Sequence, residues 1–156
     1  MKMTTSHLAM VFSVLSLSLY QCKTPVGYTE TAEVTFVESE SPGLVTVSST
    51  GRGEKSHLAE FDADEKVFRT IMYQGLPQHT GLRLPMVSTT SGTDEDAAKR
   101  FFEERDYERF ITAQNADSVQ EYKRPKLYVV KKTITVNYDA LRRHLEKEGV
   151  TRKFGL

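Results

Sequence analysis

Apolar and polar residues alternate with a period of two in two neighbouring stretches, residues 32–38 (AEVTFVE) and 44–50 (LVTVSST). Both are rich in β-branched residues, and Ser41-Pro42-Gly43 between them supplies turn chemistry, so the pattern predicts a β-hairpin. Gly51-Arg52-Gly53 follows and predicts a sharp turn. The period then lengthens. From 56 to 74, Leu58, Phe61, Phe68, Ile71 and Met72 recur at three- and four-residue spacing, with Ala59 and Ala63 as small packing positions, which predicts an amphipathic helix. Gly75 and Pro77 end it, since a glycine tolerates the left-handed cap and a proline cannot continue the helix.

Residues 76–93 are rich in Gly, Pro and Ser and read as a loop pinned by Leu82, Leu84 and Met86. Thr93 is placed to cap a second helix, with Asp94, Glu95 and Asp96 at the positive end of its dipole and Ala98, Phe101, Phe102, Phe110 and Ile111 on its apolar side. Two strands are expected between 118 and 138. In the second, Tyr128, Val130, Ile134, Val136 and Tyr138 take one face and Val129, Lys131, Thr133 and Thr135 the other. A terminal helix over 139–147 places Leu141 and Leu145 four apart, and Gly149 closes it. The order β-β-α-α-β-β-α groups strands instead of alternating them with helices. The class expected is therefore α+β, a mostly antiparallel sheet with helices packed on one face.

Ahead of this pattern, residues 8–20 (LAMVFSVLSLSLY) carry no charge and follow a short start whose one base is Lys2. That is the shape of a signal peptide. As a helix it would rise about 20 Å, short of the roughly 30 Å hydrocarbon layer. Leu19-Tyr20-Gln21-Cys22 resembles the lipobox of bacterial lipoprotein precursors, with Leu19 three positions before the cysteine; Tyr20 and Gln21 are bulkier than the small residues usual between them. The chain's single cysteine stands where the apolar run gives way to KTPVGYTET. The resemblance implies cleavage before Cys22 and acylation of its thiol and new amino group, for instance with palmitate, and two or more chains anchor stably where one does not. The expected organisation is a signal peptide over 1–21, a lipidated tether over 22–31 and one α+β domain over 32–156.

The remainder resembles small lipoproteins of Gram-negative cell envelopes. The residues that carry this are a strand ending in Ser49-Thr50-Gly51-Arg52-Gly53, the helix through Ala59 and Ala63, the stop Gly75-Leu76-Pro77 and the closing ITVNYDALRRHLEKEGV. A strand, a glycine and an Ala-rich helix is also similar to flagellar-associated envelope lipoprotein domains. These motifs are structural. They imply a fold and a compartment, the cell envelope with the outer membrane favoured over the inner, and no active site.

Charge adds a surface. Lys+Arg and Asp+Glu are 21 each, so net charge is zero and names no partner. Its distribution is uneven: residues 93–121 hold nine acids and four bases, residues 122–156 ten bases and three acids. The two stretches are expected to complement each other within the fold, between copies, or with an envelope partner. Arg124, Lys126, Lys131 and Lys132 form the expected electrostatic surface. Anionic lipid headgroups or cell-wall polymer are further candidates for these bases; nucleic acid is not, because export removes it, and Lys131 and Lys132 read as guards of an edge strand.

Catalytic and metal-binding patterns are not recognisable. His144, in Arg142-Arg143-His144, reads as a solvated base; His57, near Asp62 and Asp64, would need carboxylates that two-residue helical spacing points apart. No Gly-x-Ser-x-Gly elbow is present, and Gly51-Arg52-Gly53 lacks the lysine of a phosphate loop. His79 and Arg83, in the 76–93 loop, are the expected polar contacts if that loop covers a small-ligand cleft. The expectation is a non-enzymatic, cofactor-free interaction or structural module, with small-ligand binding as the alternative.

Overall fold

A computed structural model of the chain describes residues 33–39, 41–87 and 95–151. Cys22, the expected signal peptide and tether, and the expected cap at Thr93 lie outside the described residues. Strands β1 (Val34–Glu38) and β2 (Leu44–Gly53) precede helix α1 (Ser56–Tyr73), a 3-10 turn (Thr80–Leu82), helix α2 (Glu95–Glu103) and a second 3-10 turn (Asp106–Phe110). Then come β3 (Ile111–Lys123), β4 (Lys126–Asn137) and helix α3 (Tyr138–Lys147). The sheet is antiparallel in the order β1-β2-β4-β3. The α+β class thus holds, and the element order differs from the expected one by two inserted 3-10 turns.

Alternation places the core. Val45 and Val47 of β2 stand across from Val136 and Ile134 of β4, and all four are buried with Val67, Phe68, Ile71, Leu141 and Leu145 of the helices in one cluster. The other sheet face carries Ser48, Thr50, Lys131, Thr133 and Thr135, with the Thr46 and Thr135 hydroxyls 2.9 Å apart. No described helix lies on it.

Four local expectations are corrected. Gly51-Arg52-Gly53 does not turn; it stays in register with Val130, Val129 and Tyr128 of β4. Gly51 is needed there because α1 sits on it: a Cβ would lie 1.9 Å from the Ala59 carbonyl oxygen and 2.4 Å from the Ala63 amide nitrogen. On α1 the sheet-facing residues accordingly include Ala59, Ala63, Val67 and Ile71, while Leu58 is largely exposed. The second helix ends at Glu103, where Arg105 takes a left-handed backbone (φ 59°) before the 3-10 turn. Its aromatic run closes the core from both elements, Phe101 and Phe102 of the helix packing ring against ring with Tyr107 and Phe110 of the 3-10 turn. Finally, β3 begins at Ile111 and not near Ser118, because its polar side chains lack a core face to show a period: every residue after Ile111 is exposed.

Candidate functional site

The β3–β4 hairpin reaches past the rest of the sheet. Strand β2 runs out opposite Tyr128, whereas β3 and β4 remain paired to Lys123 and Lys126. Around the turn, Lys123, Arg124 and Lys126 concentrate positive charge on exposed positions. Strand β3 forms the sheet edge over thirteen residues. Such an edge presents a row of backbone donors and acceptors that a further strand can satisfy. It carries no proline, and Val119 and Tyr122 are 51% and 48% exposed, so apolar contact is available on both faces. Opposite Glu121, the Tyr128 hydroxyl has its proton held more firmly than usual, chiefly through its hydrogen bond with that carboxylate.

The four expected basic residues do not form one surface. Arg124 and Lys126 are at the hairpin tip, and Lys131 is exposed on the open face of β4. Lys132 is a correction: at 4% exposure it points under α1, where its ammonium donates to Asp64 Oδ1 at 2.6 Å and to Gln114 Oε1 at 2.8 Å. Nor does β4 guard an edge, since it lies between β2 and β3. Beside the pair, Ser49 stands across from Lys132 and donates from its hydroxyl to the Ala63 carbonyl at 2.8 Å. Burial raises the Asp64 pKa above its ordinary value against the opposing pull of Lys132.

His79 and Arg83 also separate. His79 is buried to 7% exposure, its ring packed edge-on to Phe36 and Tyr138. Its Nδ1 has no hydrogen-bond partner among the described residues. Burial lowers its pKa from 6.5, so the folded chain keeps the ring neutral where the unfolded chain takes a proton. The stability from this neutral ring is present above the unfolded value and is lost as pH falls below about 6.5. His79→Phe is therefore expected to flatten the fall of melting temperature between about pH 7.5 and 5; an unchanged slope would contradict this assignment. His144 is half-buried against Phe101 and Phe110, with Nδ1 3.3 Å from the Arg109 guanidinium, and burial followed by that charge lowers its pKa.

Arg83 is exposed and lines an open cavity, which also takes in Arg142 of α3. Arg142 was missed by sequence reasoning, because helical spacing cannot say which loop a helix will meet. Among the described residues no group of three His, Cys, Asp or Glu is placed to hold a metal ion, and no helix is long and apolar enough to cross a membrane. Compared with protein-family models, curated proteins and solved structures, the chain matches none.

Proposed function

We propose that this chain is a lipoprotein of the Gram-negative envelope, anchored through Cys22, whose domain is a non-enzymatic interaction module. The observation that carries the interaction reading is the thirteen-residue exposed edge of β3, continued by the basic hairpin tip. The partner adds an extended segment to that edge, its backbone supplying affinity and its acidic side chains meeting Lys123, Arg124 and Lys126. The anchor reading rests on the leader's length and on the position of the lone cysteine.

Crosslinking in cells fed a clickable fatty acid tests both parts together. The natural chain is expected to carry label and a crosslinked partner, with the partner lost as ionic strength rises. Cys22→Ala is expected to lose the label. Val119→Lys places a charge on the exposed edge at a cost of about 0.5 kcal/mol or less to the fold, and is expected to keep the label but lose the partner. Label persisting in Cys22→Ala contradicts the anchor; an undiminished adduct in Val119→Lys contradicts the edge.

A further inference from the structure

The loop between α1 and α2 is tied down at many points up to Val87. The Leu76 and His79 amides donate to the Leu82 and Leu76 carbonyls, the Val87 amide donates to the Met72 carbonyl at 2.9 Å, and the Thr151 hydroxyl donates to the Met86 carbonyl at 2.5 Å. Gly75 takes a positive φ of 78°, which lets the chain fold back until the Leu82 and Arg83 carbonyl oxygens would lie 2.8 Å from a Cβ at that position. Arg142 then reaches from α3 and donates from its guanidinium to the Gly81 carbonyl at 3.1 Å.

These ties leave a cavity of about 300 Å³ between the loop and α3. Its walls divide by chemistry. Arg83 and Arg142 are its basic lining residues, and Leu84, Pro85 and Met86 make the apolar side. Leu84 is 77% exposed, a large apolar side chain held at the mouth with nothing described covering it. The volume lies at the small end of the range for ligand pockets, which combine apolar walls with a few fixed polar groups. Guanidinium donors recognise the planar or tetrahedral oxygens of carboxylates and phosphates.

We propose that this cavity binds the phosphate or carboxylate group of an anionic amphiphile, the oxyanion held by Arg83 and Arg142 and the first carbons of its apolar chain lying on Leu84, Pro85 and Met86. This inference is independent of the β3 edge, which lies on another element. The ligand chemistry fits a membrane lipid headgroup and a soluble alkyl phosphate or acid alike, so the test separates the sources.

The full chain is titrated calorimetrically with hexyl phosphate and, separately, with inorganic phosphate. Saturable binding of hexyl phosphate is expected, at least tenfold tighter than inorganic phosphate. Arg83→Gln is expected to weaken it at least tenfold, Arg83→Lys less, and Leu84→Ser to remove most of the preference over inorganic phosphate. Both positions are exposed, so unchanged circular dichroism is expected to show that these variants fold. In the second arm the chain is sedimented with phosphatidylglycerol or phosphatidylcholine vesicles. A preference for phosphatidylglycerol that Arg83→Gln removes identifies a lipid headgroup; hexyl phosphate binding without that preference identifies a soluble ligand. No saturable binding, binding insensitive to Arg83→Gln, or equal affinity for inorganic phosphate would overturn the proposal.

Discussion

Replacing Asp64 by Ala is expected to remove about 3–5 kcal/mol of stability, read at pH 7 from the urea unfolding midpoint. The ammonium of Lys132 is fixed between Val130 and Ile134 on the covered face of β4 and cannot turn to water without breaking the strand's alternation. With the carboxylate gone, Gln114 is the hydrogen-bond partner left to it among the described residues. Against a total stability of about 5–15 kcal/mol for a domain, such a loss leaves the fold marginal. Removing both charges has a different result. Asp64→Leu with Lys132→Met takes away the desolvation cost of two ions together and is expected to be neutral or stabilising by about 1–4 kcal/mol. Burial is the leading influence on Asp64 and raises its pKa, so on acidification the folded chain takes up this proton before the unfolded chain does. The proton uptake of Asp64 by itself therefore favours the folded chain as pH falls, separately from the ion pair that its carboxylate makes with Lys132. A single replacement costing less than about 1 kcal/mol would mean that the Lys132 ammonium reaches solvent.

Gly51→Ala is expected to cost at least about 4 kcal/mol, a size reserved for changes that the native packing cannot absorb. The added carbon would sit 1.9 Å from the Ala59 oxygen and 2.4 Å from the Ala63 nitrogen, so α1 would have to lift from the sheet. Because the obstructing atoms belong to the backbone, Ala59→Gly is expected to give no rescue. The measurement is the thermal midpoint of the single and double variants. A loss under about 1 kcal/mol would show that the helix can rise off β2 at little expense, against the close packing of protein interiors.

These two sites mark what the sequence displayed and what it concealed. The α+β class could be read because β2 and β4 alternate cleanly and α1 has helical spacing, which both follow from burying one side of an element. Gly51 and Gly53 carry two meanings in a sequence, a turn or a close approach, and only the presence of Ala59 and Ala63 above the strand decides between them. Lys132 sits in the buried register of β4 between Val130 and Ile134, yet a lysine in the strand looks like surface until Asp64, 68 residues away, is seen to meet it.

His79 looked like a loop residue open to ligands because the aromatic rings that enclose it, Phe36 and Tyr138, come from opposite ends of the domain. The edge of β3 was the least legible part. ITAQNADSVQEYK has neither a strand's apolar alternation nor a helix's stripe, and it is held in the sheet by β4 alone. A strand kept exposed on both faces is the feature from which the proposed interaction is drawn.

Hydrogen exchange of the chain in isolated envelopes, compared with the purified chain, examines that interaction at the atoms concerned. The account predicts slower exchange in the envelope at the amides of 111–123 that point away from β4, with the amides facing β4 unchanged. Equal exchange along β3 in the two samples, with new protection elsewhere in the domain, would contradict it.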